Sequence, residues 1–470
     1  MSDNPETGWL ADFVYTNGAF ESDVAMFADS AGKITRFSRD GADLLKATRL
    51  SGRAMLPGLV NVHSHAFQRV IRGRTEYLTG ADHDNFWTWR TNMYLAANKL
   101  SPDAVYHAAR MAFLEMVLSG ITTVGEFHYL HHLPGGVAHE GDRNLLAMQV
   151  LRAAQKVGLR IALLRTAYVR GGWQQPASEW QLRFVTPRLE QFIEDTELLR
   201  EVVPRLYRPG SAWVGVAPHS VRAVPLEYLR HLAWYARSHD LPLHMHVAEQ
   251  PAEVEACIAE HGLRPVELLH ENGLLSSRFT AIHAVHITEK EVGHLGKARA
   301  KVAACPTTER NLGDGVAPAR DLYNAGVGIC FGSDSNVQID ILEDTRALEY
   351  HLRLKQLERV ILAPDSAIDA LATRLFRSAT ETGAESLGAP GGALEVGRPA
   401  DFFTVDLNDP SIAGESAASL LNAIVFALER TAVRDVAVDG KFLVREGRHA
   451  LDEEIVREFA SVQKDLWRGK

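Results

Sequence analysis

The sequence predicts an α/β fold, a (β/α)8 TIM-like barrel with a small β-sandwich built from both chain ends. Three observations lead there. Eight short apolar stretches recur through the middle of the chain, helical patterns separate most of them, and strand-and-turn patterns occupy the two ends. At 470 residues the chain exceeds one ordinary domain. Residues 1–54 and 390–470 are therefore assigned to the sandwich, the latter with a terminal helix, and residues 55–389 to the barrel.

The N-terminal part opens with Phe13-Val14-Tyr15-Thr16 running into Asn17-Gly18, a hairpin signal. Val24–Phe27 and Lys33–Phe37 follow, separated by Ser30-Ala31-Gly32. From Ala54 the rhythm changes. The apolar stretches are Met55–Val62, Ile121–Phe127, Arg160–Leu164, Trp213–Ala217, Pro242–Val247, Thr280–Val285, Lys301–Ala304 and Val327–Phe331. Helical patterns cover Pro102–Leu118, Arg143–Lys156, Leu226–Ser238, Ala252–His261 and Ile341–Leu362. An open doubly wound sheet would also alternate in this way, but eight units is the count of a closed parallel barrel. After Pro390, Phe402–Val405 reads as a strand, and Val433–Val438 meets Asp439-Gly440 and Phe442–Val444 in a second hairpin. Each end is too small to bury a core alone, so the two are expected to pack together.

Composition narrows the function. Hydrophobic residues make up 46% and charged residues 23%, which excludes disorder for most of the chain. Asp and Glu outnumber Lys and Arg by 59 to 50, a net charge of −9 that argues against nucleic acid or an anionic membrane as partner. A small anionic substrate stays open, because a few buried arginines can act against the net charge. Cys257, Cys305 and Cys330 are too few and scattered for a disulfide framework or a cysteine-based zinc site. The opening Met1–Thr7 is polar and acidic, unlike a secretory or transit signal, and no apolar run has membrane-spanning length. A cytoplasmic protein is expected.

Barrel enzymes carry their reactive groups at the C-terminal ends of the strands. Here those ends read Asn61-Val62-His63-Ser64-His65, Glu126-Phe127-His128-Tyr129, Ala217-Pro218-His219-Ser220-Val221-Arg222, His244-Met245-His246-Val247-Ala248-Glu249, Ile282-His283 and Gly332-Ser333-Asp334-Ser335-Asn336. His63 and His65 share one face of their strand, and in a barrel that face points inward. A hydrogen-bonded pair of core histidines is the plain reading of such a motif, and a metal is the other. His246 and Asp334 complete a set of three imidazoles and one carboxylate, which suits Zn²⁺ and is compatible with Fe²⁺. Taken alone, Asp334 could be a turn or helix cap. Glu249 follows His246 by three residues, where an exposed loop carboxylate and a proton shuttle beside the metal are the two readings. His283 is either a satisfied core histidine or a group beside the substrate.

These residues resemble the amidohydrolase superfamily. The likeness rests on Pro57-Gly58-Leu59-Val60-Asn61-Val62-His63-Ser64-His65, the His246–Glu249 run, His283, Gly332-Ser333-Asp334, and the returning segment Gly392–Phe402. The fourth strand carries no metal-bridging lysine, so the chain resembles the mononuclear deaminase branch. That branch implies one Zn²⁺ per chain on His63, His65, His246 and Asp334, with Glu249, His283 and Asp334 serving catalysis. Gln68, Arg90, Tyr129, His219 and Arg222 match positions where enzymes of this branch acting on N-formimidoyl-L-glutamate bind their substrate. The resemblance thus implies metal-dependent hydrolytic deimination of that compound to N-formyl-L-glutamate and ammonia, a step of histidine degradation. A homodimer is the expected assembly.

Each pocket residue has a plainer reading. Arg90 could be a surface or interface arginine and Arg222 a salt bridge to a barrel helix. The competing enzyme is a mononuclear zinc deaminase of a guanine- or adenosine-like heterocycle, whose pocket would want aromatic walls in place of charged clamps. A noncatalytic scaffold would be expected to have lost a ligand, and none is missing.

Overall fold

Asn17 and Gly18 both adopt the left-handed backbone their dipeptide favours (φ 52° and 80°). They join Thr7–Thr16 to Ala19–Glu21 as an antiparallel hairpin, with Thr16 opposite Ala19. The computed structural model describes residues 6–78 and 83–468. The polar opening residues 1–5, read above as part of a segment without a signal, lie outside that range.

The strands of the two ends join in one nine-stranded mixed sheet. Thr48–Pro57 sits at its centre, parallel to Thr7–Thr16 on one side and antiparallel to Phe402–Asp406 on the other. The expected sandwich is this single sheet folded over on itself. Gly32, in the turn between Ala25–Ala28 and Ile34–Ser38, lies so close to Asp439, in the far hairpin, that an added Cβ would come within 2.3 Å of its carbonyl oxygen. Trp9 and Phe402 meet edge to face at 5.4 Å inside the fold, beside Met26, Met55 and Ala437.

The stretch Met55–Val62, read as one strand, is two. Gly58 hands the chain from the end sheet to the first barrel strand, Leu59–Ser64, and any side chain there would strike Thr122. Seven further parallel strands follow in order: Ile121–His128, Arg160–Ala167, Ala212–Pro218, Leu243–Val247, Phe279–His283, Lys301–Ala304 and Gly328–Phe331. Their apolar side chains, such as Val60, Val124, Leu163 and Ile282, are fully buried. At the barrel base Arg160 grips Asp401 with two hydrogen bonds, of 2.6 and 2.9 Å, and so locks barrel to sheet. The terminal helix, Asp452–Leu466, crosses back to the barrel, where Arg110 pairs with Glu454 at 2.6 Å.

Helix boundaries follow local chemistry. Pro102–Leu118 starts as expected because Ser101 caps it and proline takes its first position. The expected helix Ile341–Leu362 stops at Gln356 instead. Leu357 turns left-handed (φ 57°), and the buried Glu349 carboxylate then accepts the N–H groups of Ile361 at 2.9 Å and Leu362 at 3.0 Å. Among the described residues no helix is long and apolar enough to cross a membrane.

No full ladder joins the eighth barrel strand to the first. The seam closes just beyond them, where the Asp334 N–H donates to His63 O and the His65 N–H to Asp334 O, each at 2.9 Å. Gly332 permits this approach, since a Cβ there would lie 2.6 Å from His63 Cβ. Gly332→Ala is accordingly expected to cost about 1–3 kcal/mol, the usual range for overpacking, and to lower metal content with stability. Thermal melting and elemental analysis of the variant check this together.

Candidate functional site

Barrel closure brings four predicted side chains to one point. One ligand atom each from His63, His65, His246 and Asp334 lies within 4.8 Å of the others, and all four residues are buried. Asp334 Oδ1 is 3.3 Å from His63 Nε2 and 3.2 Å from His65 Nε2, while His63 and His246 face each other through Nε2 at 3.2 Å. Vertices of a tetrahedron with bonds of about 2.0–2.1 Å would stand roughly 3.3–3.4 Å apart.

The protons explain why these atoms need a cation. His65 Nδ1 lies 3.0 Å from Phe127 O, and His246 Nδ1 lies 2.9 Å from His219 O. A carbonyl accepts only, so both Nδ1 atoms carry hydrogen and Nε2 is the ring atom that each turns to the centre. Burial pushes His63 down to about 3 and His246 well below the usual imidazole range. Burial would raise Asp334, but contacts from His63 and His65 outweigh it and hold the carboxyl well below its ordinary value. The neutral rings of His63 and His246 thus meet through Nε2 beside a carboxylate, an arrangement that suits a divalent cation.

Glu249 and His283 stand beside this centre. His283 Nε2 is 3.7 Å from Glu249 Oε1 and 3.8 Å from Asp334 Oδ2. Burial alone would depress His283, yet Glu249, Glu309 and Asp334 together lift it to about 10, so the ring is an imidazolium. Burial also raises the Glu249 carboxyl, His283 draws it back, and it comes to about 7. Backbone strain gathers at these strand ends: Ala248, His283 and Asp334 all have left-handed φ, of 51°, 72° and 46°.

The predicted substrate residues line one cavity over the centre. Gln68, Arg90, Tyr129, His219 and Arg222 surround it with His65, His246, Glu249 and Asp334. Gln68 Nε2 donates to Tyr129 Oη at 2.8 Å, and its Oε1 is buried without a partner. Neutral His219, depressed by burial and by Arg222, presents its ring here while its carbonyl orients His246. Arg90 leaves Nη1 buried and unpartnered, and Arg222 leaves both Nε and Nη1 so. Among the described residues neither guanidinium has a carboxylate within salt-bridge distance, so Arg222 makes no salt bridge to a barrel helix, while Arg90 is half-buried with one donor turned inward.

The structure adds groups with no local signal in the sequence. Phe86, Trp89, Met93, Tyr94 and Leu312 complete the cavity wall. Glu309, buried on the helix Pro306–Leu312 after the seventh strand, lies 3.3 Å from His283 Nδ1 and takes the Cys305 N–H at 2.8 Å. Glu253 accepts the N–H groups of Ala248 and Glu249, at 3.2 and 3.3 Å, and so fixes the loop that carries Glu249.

Comparison with known proteins agrees with this geometry. Residues 54–443 match the amidohydrolase family. A formimidoylglutamate deiminase of Pseudomonas aeruginosa is 40% identical over 445 residues, spanning 94% of this chain and 95% of that protein. A 5-methylthioadenosine/S-adenosylhomocysteine deaminase of Haloarcula marismortui is 28% identical, over 90% of this chain and 88% of its own. Among solved structures, an amidohydrolase from Brucella melitensis superposes with a TM-score of 0.89 at 34% identity, covering 98% of this chain and 99% of that one.

Proposed function

The chain belongs to the amidohydrolase family, and we propose that it hydrolyses N-formimidoyl-L-glutamate to N-formyl-L-glutamate and ammonia. The observation that carries this reading is the pair of arginines, Arg90 and Arg222, whose buried donors open on the cavity without a protein carboxylate. A desolvated guanidinium needs an anion, and a substrate with two carboxylates supplies one for each. The 40% identity to a formimidoylglutamate deiminase over nearly the whole chain supports the same substrate.

His63, His65, His246 and Asp334 would hold one Zn²⁺ per chain, and Fe²⁺ suits the same donors. When bound, the ion supplies a Lewis acid that lowers the pKa of water toward about 7. The protein does the rest. Glu249 takes a proton from the attacking water and returns it to the terminal nitrogen of the amidine. The water oxygen bonds to the amidine carbon, the remaining hydroxyl proton passes through Asp334 to the same nitrogen as the carbonyl forms, the bond from that carbon to the nitrogen breaks, and ammonia leaves. The His283 imidazolium, braced by Glu309, points Nε2–H at the oxygen side of the reacting carbon and stabilises charge there. Asp334 serves as both ligand and nearby base. Gln68, Tyr129 and His219 complete the polar wall that orients the substrate.

The test is ammonia release from N-formimidoyl-L-glutamate measured beside adenosine-, 5-methylthioadenosine- and guanine-type substrates. Turnover of a nucleobase with none of the formimino acid would establish the heterocycle deaminase instead. Arg90→Ala and Arg222→Ala should each cost about 2–5 kcal/mol in kcat/KM, the range for breaking a buried charge pair, with metal content intact. A loss within experimental error in both variants would remove the carboxylate clamp.

A further inference from the structure

We infer that Trp87 is a positioning residue whose indole ring carries both pocket arginines, leaving two guanidinium groups unneutralised for a dicarboxylate substrate. This rests on the dicarboxylate reading of the pocket given above. Arg90 Cζ stands 4.5 Å from the Trp87 ring centroid and Arg222 Cζ stands 5.3 Å from it. Arg90 is also 5.6 Å from the Tyr94 ring.

The rest of the fold satisfies its buried arginines differently. Five arginines are buried among the described residues: Arg110, Arg160, Arg165, Arg183 and Arg222. Arg110 pairs with Glu454, Arg160 with Asp401, and Arg165 with Asp195. Arg183 donates to the carbonyls of Ala97, Leu100 and His132. Arg110 and Arg165 also lie over rings, those of Tyr106 and Phe192, but Arg222 alone has a ring and no such partner. The difference has a chemical consequence. A carboxylate beside Arg222 would neutralise it and compete with the substrate for the same N–H groups. A ring face attracts the charge without offering an acceptor atom, so the donors stay free. It also lets two like charges share one small site, since each is drawn toward the same electron-rich ring.

Trp87 is well placed to act as a fixed platform. It lies in the first turn of the helix Phe86–Ala97, where the Asn85 side chain accepts its backbone N–H at 2.9 Å and a capping box with Thr88 sets the helix start. The Phe86 ring packs edge-on against it at 5.0 Å.

Steady-state kinetics with N-formimidoyl-L-glutamate on the metal-loaded enzyme tests this. Trp87→Leu should raise KM on the order of ten-fold or more, with a smaller change in kcat, and Trp87→Phe should recover most of the loss. In an Arg222→Ala background the further penalty of Trp87→Leu should shrink several-fold, because part of what the ring supports is gone. Wild-type kinetics in Trp87→Leu would overturn the proposal. So would a loss confined to kcat, a Phe variant no better than Leu, or an undiminished penalty in the Arg222→Ala background. If Trp87→Leu does not fold, Trp87→Met is read against Trp87→Phe by the same criteria. No ammonia from the wild type overturns the substrate reading and the platform together. Loss in the arginine variants with none in Trp87→Leu overturns the platform alone.

Discussion

His246→Ala and Asp334→Ala should each lose bound metal and lower activity on the order of 10³-fold or more, at least about 4 kcal/mol of barrier. Each change removes one of four inward donors, and the loss does not stop at coordination. Asp334 also closes the barrel, accepting the His65 N–H and donating to His63 O, so its side chain is anchored by backbone that the Ala variant keeps. The Asp334→Ala protein should therefore still fold while holding no metal, melting below wild type because the left-handed backbone at 334 suits Asp better than Ala. In His246→Ala, the carbonyl of His219 loses the ring that it orients. Elemental analysis of the wild type should find about one ion per chain. Two firmly bound ions per chain, or either variant with full metal and turnover, would overturn the single-site assignment.

Much of this centre was legible in the sequence because each ligand sits at a strand end, where local pattern alone places it. His-X-His on one face of the first strand and His246 at the end of the fifth need only the period of a β-strand and the hand of a barrel. The supporting groups were not legible, for a physical reason. Glu309 and Glu253 act across turns, on His283 and on the loop before Glu249, and nothing in their own neighbourhoods distinguishes a bracing carboxylate from a solvated one. The aromatic wall has the same character. Phe86, Trp89 and Tyr94 share a helix with both apolar and polar neighbours, and only its docking over the barrel mouth turns them toward the cavity. Boundaries failed where a tertiary contact overrode the local pattern. The helical pattern after Ile341 continues, but Glu349 captures the N–H groups of Ile361 and Leu362 and bends the chain away.

Glu249→Gln should leave metal content and melting temperature near wild type while kcat falls by at least about 10²-fold, the lower end of what acid–base assistance contributes. Glutamine keeps the shape of the side chain and can hydrogen-bond in its place. It cannot take a proton from water and give it to a departing nitrogen. The carboxylate suits that cycle because burial raises it and the His283 imidazolium, 3.7 Å away, draws it back to about 7. A group balanced there accepts and releases a proton at comparable cost. Turnover begins with the carboxylate form, so wild-type kcat/KM should fall as pH drops through this group's pKa, and that acid limb should be absent from the Gln variant. Measured pH profiles of both proteins, with metal analysis alongside, separate this role from ligation. Undiminished turnover in Glu249→Gln, or an acid limb that survives the substitution, would assign the proton to another group, and His283 cannot readily be it, since a ring already charged near neutral pH has no vacancy for the water's proton.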